Sequence, residues 1–283
     1  MPYPNIPDKY KYASLVTAKQ DRKNRIFAVY DEQYTNTGER MPEKVIFTYG
    51  QFANDAVKSH IVFTKLNDAP AYRVDPGDML TTSLITFPAF YGSTMTALRM
   101  EELIEAGVKE FIIAGWAGTL KRDLGCGQII ICDRAIRDEG VSHHYIKPGK
   151  YVSADKTLVK ELLTYARELG IPAKVGTTWT TSAPFRETAE EVKAYSDEGA
   201  LTVEMEAATC FAIAKRYNVK AAAVFVTLDS LAELIWKPLG SLPLKQVPIA
   251  LHLASKGKFM PCGEETPLDK KLVRRLEDVL AIR

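Results

Sequence analysis

At 283 residues with 46% apolar side chains, the chain can bury a substantial core, and a single domain over 1–283 is the expectation. Lys and Arg number 37 against 35 acidic residues, so a net charge of +2 gives no field that would draw nucleic acid or an anionic membrane. Small molecules are the expected partners. Cys126, Cys132, Cys210 and Cys262 lack the CxxC spacing of a zinc or redox site and read as reduced, mostly buried thiols, so no metal is expected. Without a signal-like apolar core at Met1 to Lys9, or a run of about 18 apolar residues, a cytoplasmic protein that leaves membranes alone is expected.

Residues 1–40 read as a polar arm, broken by the strand-like run Arg25 to Tyr30 and the turn-rich stretch Thr35 to Arg40. Beyond it, short β-branched runs alternate with helical patterns, which predicts a largely parallel sheet covered by helices. Val45 to Tyr49 and Leu80 to Thr86 read as strands, the first ending at Gly50. A helix is predicted from Ser93, whose hydroxyl can cap its first turn, to Gly107, which tolerates a left-handed cap. Val108 to Ala114 should form the next strand, closing on Gly115-Trp116-Ala117-Gly118. Asp155 is expected to cap a helix with Leu158, Leu162, Tyr165, Ala166 and Leu169 on one face and Gly170 as its stop. A strand into Gly176, a polar helix around Glu187 to Tyr195, a helix from about Glu206 to Tyr217 and a buried strand from Ala221 to Leu228 follow. The stretch 238–267, rich in Pro, Gly and Lys, suggests a lid, an insertion or an oligomer contact. Leu268, Leu272, Leu276 and Leu280 recur every four residues and mark a C-terminal amphipathic helix.

Several positions can carry chemistry. Glu204 and Glu206 flank Met205 where a strand gives way to a helix, and a carboxylate there can accept hydrogen bonds from a diol; the plainer reading is that both favour the helix dipole. Gly92-Ser93-Thr94 at a helix start offers backbone N–H groups, hydroxyls and a positive dipole end to an anion, or is an ordinary capping turn. Asp229 lies at the carboxyl end of a buried strand, where ligands of open α/β sheets gather, or it caps the segment from Ser230. The pair His143 and His144 reads as local hydrogen bonding before catalysis.

Three ordered motifs, Ala135 to Tyr145, Gly176 to Thr188 and Val203-Glu204-Met205-Glu206-Ala207-Ala208, resemble the nucleoside phosphorylases of the uridine and purine type, a pattern followed from about residue 80 to 230. The first two look closer to uridine members. The resemblance implies a three-layer α/β/α domain with a mixed, partly barrel-like central sheet, assembled as a homo-oligomer, hexamer or dimer. It implies cleavage of the N-glycosidic bond of a nucleoside, uridine favoured, with inorganic phosphate as co-substrate and no cofactor, giving free base and (deoxy)ribose 1-phosphate. Glu206 and Met205 would bind the ribose with Glu204 beside them, Glu206 also supporting the transition state. Thr181, Phe185 and Arg186 would surround the base, Phe185 stacking and Arg186 donating to a pyrimidine carbonyl, unless Arg186 only pairs with Glu187 or Glu190 at the surface. Asp229 would be the catalytic acid at N7 of a purine. Gly50, Gly92, Ser93 and Thr94 would hold phosphate.

The sequence departs from the family at the phosphate arginines, where Asn54 and Ile113 or Ala114 stand, and Trp116 replaces a small hydroxylated residue. Arg73, Arg99, Lys58, Arg137 or an arginine from a neighbouring subunit could substitute. Three alternatives therefore stand beside the uridine reading: a purine nucleoside phosphorylase, a nucleosidase that uses water, and a non-catalytic nucleoside-binding or storage protein.

Overall fold

The computed structural model describes residues 8–20, 43–49, 52, 63–65, 71–74, 82–87, 91–238, 243 and 246–256. The predicted strand at 25–30, the C-terminal helix at 268–280 and Gly50 lie outside the described residues.

The strands are β1 (Lys44–Tyr49), β2 (Phe63–Lys65), β3 (Ala71–Val74), β4 (Thr82–Phe87), β5 (Glu110–Thr119), β6 (Ile129–Asp138), β7 (Tyr151–Ser153), β8 (Ala173–Thr181), β9 (Ala200–Glu204) and β10 (Lys220–Ser230). The helices are α1 (Ser93–Glu105), α2 (Lys156–Glu168), α3 (Ala189–Asp197), α4 (Ala207–Tyr217) and α5 (Gln246–Ala254). Neighbouring strands run in the order β10-β6-β8-β9-β5-β1-β4-β3-β2, and β10 also pairs with β5, so five strands close on themselves. β5 makes this possible by serving three partners. Its first residues, from Glu110 to Ile113, pair with β1 on one edge, its last, Gly118 and Thr119, pair with β9, and β10 runs parallel to it throughout. The result is a mixed sheet with a closed barrel at its centre. Where the glycines of Gly115-Trp116-Ala117-Gly118 suggested a turn, β5 instead continues to Thr119, because β10 keeps pairing with it through Thr227 and Ser230.

Buried side chains alternate along the strands between two core clusters, and this sorts the helices into two layers. Phe47, Phe111, Ile113, Ala223 and Phe225 face Met100 and Leu103 of α1 and Phe211 of α4. Ile46, Ile112, Ala222, Val224 and Val226 face Leu158 and Leu162 of α2 and Leu251 of α5. Strands buried on both faces read as continuous apolar runs, which explains the unbroken Ala221 to Val226.

The caps follow the predicted chemistry. Asp155 accepts from the Leu158 N–H at 2.9 Å, and Leu158, Leu162 and Ala166 form the buried face of α2. Thr188 and Glu191 form a reciprocal capping box at the start of α3. At the end of α1, Gly107 sits at φ 106°, its N–H bonds Ile104 O and the Val108 N–H bonds Leu103 O, a double closure that needs the left-handed residue. The other end differs from expectation: Gly92, not Ser93, is the N-cap of α1, and the Ser93 hydroxyl is used elsewhere.

Within the weakly patterned 238–267, residues 246–254 form α5, whose Val247, Ile249, Leu251 and Leu253 are buried against the sheet. This helix is apolar on nearly all sides, so it carries no amphipathic period for a sequence reading to find. Among the described residues, no helix is long and apolar enough to cross a membrane and no group of three or more His, Cys, Asp or Glu is placed to hold a metal. Cys132 and Cys210 are buried free thiols, and Cys126 is exposed.

Candidate active site

The end of β9 and the start of α4 bring Glu204, Met205 and Glu206 against the start of α1. Glu206 Oε1 accepts from the Gly92 N–H at 2.6 Å, and the Ser93 hydroxyl donates to Met205 O at 2.8 Å. Two sequence motifs more than a hundred residues apart thus form one construction. Gly92 adopts φ 89°, a region that disfavours any side chain, and the Met205 methyl lies over the place where a Cβ would stand. Tyr49, the last residue of β1, reaches the same point: its hydroxyl bonds Thr96 Oγ1 at 2.8 Å, and burial together with the Glu206 charge pushes it well above its usual range.

Glu204 is buried and its acceptors meet protein donors. Oε2 takes the Glu206 and Ala207 N–H groups at 2.7 and 2.8 Å at the head of α4, and Oε1 takes the Thr180 hydroxyl at 2.5 Å. Thr180 in turn accepts from the Ala208 N–H at 3.0 Å. Glu204 therefore fixes the strand-to-helix corner from which Glu206 projects. Glu206 is held up from the usual carboxylate range, first by burial and then by the Glu204 charge, while Gly92 and Met205 N–H groups oppose the rise. Glu204, with three donors and the positive end of α4, is the partner better able to stay ionised.

The residues expected around a base sit on the loop after β8. Thr181 is buried and its Oγ1 accepts from the Ala183 N–H at 3.2 Å, while Phe185 and Arg186 lie on a short 3-10 turn, Phe185 fully exposed at 100%. Asp229 stands near the end of β10. Its Oδ1 would be 2.8 Å from a Cβ on Gly118, and its Oδ2 accepts from the Trp236 indole at 2.7 Å. The Asp229 charge also reaches Glu187, which is raised to about 7 by burial first, then by Asp229 and Glu191.

The expected anion turn is occupied by internal bonds: the Gly92 N–H and the Ser93 hydroxyl both serve the Glu-Met-Glu corner. Thr94 is exposed and lines a cavity of about 670 Å³ with Lys9, Tyr12, Glu101, His144 and Arg216. Of the substitute cations, Arg99 is paired with Glu102 at 2.6 Å, and Arg137 is buried with its guanidinium donating to Ser142 Oγ and Lys147 O. Lys58 and the Arg73 side chain lie outside the described residues. His143 bonds the Arg137 carbonyl at 3.2 Å, the local role that its sequence context suggested.

A family model described as Phosphorylase superfamily matches residues 40–248. The chain belongs to this superfamily. Among curated relatives of this superfamily member, a guanosine phosphorylase of Halorubrum lacusprofundi is 32% identical over 133 residues, which are 47% of this chain and 55% of that protein. A DeoD-type purine nucleoside phosphorylase of Thermoanaerobacter sp. is 31% identical over 142 residues, 50% of this chain and 61% of that protein. The chain thus spans little more than half the length of these curated relatives. They are purine and guanosine enzymes, whereas the sequence motifs leaned toward uridine members. Among solved structures, a P knowlesi homologue of P falciparum PNP superposes with a TM-score of 0.64 at 22% identity, covering 77% of this chain and 90% of the other. A purine nucleoside phosphorylase from Toxoplasma gondii superposes with a TM-score of 0.65 at 17% identity, covering 76% and 89%. These two likenesses establish the fold, a mixed α/β domain around a closed barrel.

Sequence reading did not single out Thr180, which bonds Glu204, or Trp236, which bonds Asp229. Thr178 and Thr180 alternate along β8 and both bond toward β9, a period-2 polar signal that was present in the run Gly176 to Thr181. Trp236 gave no signal, because its partner is fixed by the chain reversal after β10.

Proposed function

We propose that this protein is a purine nucleoside phosphorylase, cleaving the N-glycosidic bond with phosphate to give a purine base and (deoxy)ribose 1-phosphate. The observation that carries the reading is the 2.6 Å bond from the Gly92 N–H to the buried Glu206 carboxylate, which joins the ribose motif to the anion turn. In this reading Glu206 accepts from the sugar hydroxyls and Met205 packs on the sugar. Positive charge grows on the ring as the bond to the base lengthens; that charge favours the ionised form of Glu206, whose carboxylate, preorganised in a dry site, then supports it. Glu204 holds that carboxylate in place through α4 rather than spending its own acceptors on the sugar. Thr181, Phe185, Arg186 and Asp229 surround the base, with Thr94 and the turn at Gly92 and Ser93 on the phosphate side.

A purine is favoured over uridine by Asp229 at the end of β10 and by the purine and guanosine names of the relatives. Hydrolysis is the second reading, favoured by the commitment of Arg99 and Arg137 to internal partners. One assay separates them. Inosine, guanosine, adenosine and uridine are incubated with and without phosphate, and products are resolved chromatographically. Phosphate-dependent ribose 1-phosphate from a purine nucleoside is expected; free ribose without phosphate would establish the hydrolase, and uridine turnover alone would overturn the purine assignment.

A further inference from the structure

Along β1, Val45, Phe47 and Tyr49 alternate onto the face covered by α1 and α4, and the Tyr49 ring meets Phe47 edge-on with centroids 6.3 Å apart. A phenylalanine would fill that place as well. What the tyrosine adds is a hydroxyl on a residue only 5% exposed, where an unpaired polar group is costly. That hydroxyl bonds Thr96 Oγ1 at 2.8 Å, one turn into α1, and so meets the helix that begins at the Gly92 turn.

From Thr96 the hydrogen bonds run without a break to the Glu206 carboxylate. The Gly92 carbonyl accepts the Thr96 N–H at 3.2 Å and the Thr96 hydroxyl at 3.1 Å. A threonine hydroxyl that bonds the carbonyl four residues back is ordinary in helices, but its proton is thereby committed, so Tyr49 is the donor in the bond the two share. Gly92, at φ 89°, is clamped from both sides: its carbonyl by Thr96, and its N–H by Glu206 Oε1 at 2.6 Å. The Ser93 hydroxyl holds the same corner from the next residue, through Met205 O at 2.8 Å. Glu206 Oε1 has this short bond, whereas the partner of Oε2 among the described residues is the Met205 N–H, at 3.3 Å. The clamp thus turns the carboxylate so that Oε2 is the oxygen with acceptor capacity for a ligand.

We propose that Tyr49 is a positioning residue of the ribose site: through Thr96 and the Gly92 turn it sets the direction of the Glu206 carboxylate, and so the strength of its bonds to the sugar hydroxyls. The inference rests on the reading above that Glu206 holds the sugar. β1 is fixed by parallel pairing with β4 along its whole length, to Tyr49 opposite Phe87, so the strand carries the register of the sheet into the turn. A bond that merely tied β1 to α1 would, when lost, weaken every ligand alike. One that aims Glu206 matters only to a ligand that Glu206 holds.

The test compares inosine, which carries both sugar hydroxyls, with 2′,3′-dideoxyinosine, which carries neither. In Tyr49→Phe, kcat/KM for inosine with phosphate should fall about three- to tenfold, the worth of one hydrogen bond. The Kd of dideoxyinosine, by calorimetry, should stay within about twofold of the parent, because the ring still packs and the lost hydroxyl acts only on the sugar contacts. Thr96→Val should lose at least as much on inosine, and the double variant no more than Thr96→Val alone, since both act along one chain. Should the parent cleave uridine alone, uridine and 2′,3′-dideoxyuridine make the same comparison. Unchanged kcat/KM for the ribonucleoside, or equal weakening of both ligands, would overturn the inference and leave nucleoside cleavage standing. Additive losses in the double variant would overturn the route through Thr96. A parent that neither cleaves nor binds a nucleoside would overturn the proposed function, and the positioning role with it.

Discussion

Glu206 concentrates the tension between stability and function in one side chain. Burial and the Glu204 charge raise it in the folded protein above its unfolded value, so the folded state binds the extra proton between those two values. The stabilisation is complete below the unfolded carboxylate range and is lost as pH rises through the raised folded value. Glu206→Gln removes this titration while keeping an oxygen to accept from Gly92. The variant should therefore gain in Tm relative to the parent between pH 6 and pH 8, read by calorimetry, while kcat/KM falls by about 10²–10³-fold, the span seen when one preorganised electrostatic contact is lost. A Tm difference that stayed constant with pH would show that Glu206 titrates normally. The run Val203 to Ala208 singled this residue out in the sequence; its partner was not legible, because the spacing of Gly92 and Glu206 in sequence says nothing of their contact.

Strands and helices were the most readable level. Asp155, Gly107 and Gly170 act at their predicted ends because caps depend on a few neighbouring backbone groups. β5 is the instructive exception. Glycines suggested that it stops after Ala114, yet it runs to Thr119, and its Gly118 is the place where the Asp229 side chain and Val203 cross the strand. A Cβ there would lie 2.8 Å from Asp229 Oδ1 and 3.1 Å from Val203 Cγ1. Gly118→Ala should thus displace the Asp229 carboxylate from the base end and cut kcat/KM by at least tenfold with the circular dichroism of the parent. Unchanged kinetics in that variant would show that the carboxylate moves aside without cost.

At the scale of the whole molecule, closure of the barrel through β5 and β10 ties the two helical layers to one cooperative unit. Amides of β5 and β10 that bond neighbouring strands, Ile112 to Gly115 and Ala222 to Phe225, should exchange with solvent only on global unfolding, whereas the reversal from Ala232 to Trp236 should exchange by local opening, as hydrogen exchange with mass spectrometry would resolve. Equal protection of the two regions would refute that ordering. The sequence by itself determined the α/β class, most element positions and the superfamily, since periodicity, caps and short ordered motifs are local properties of the chain. It leaned toward a uridine enzyme from the motifs Ala135 to Tyr145 and Gly176 to Thr188, whereas the curated relatives are purine and guanosine enzymes. Only the tertiary structure decided the remaining features: that β5 serves three strands, that 246–254 is a core helix, that Gly92 and Ser93 bond the Glu-Met-Glu corner, and that Trp236 meets Asp229. The physical reason is common to all four. Each is set by which segments pack together, and packing energy depends on contacts between residues far apart in the chain, which no local pattern encodes.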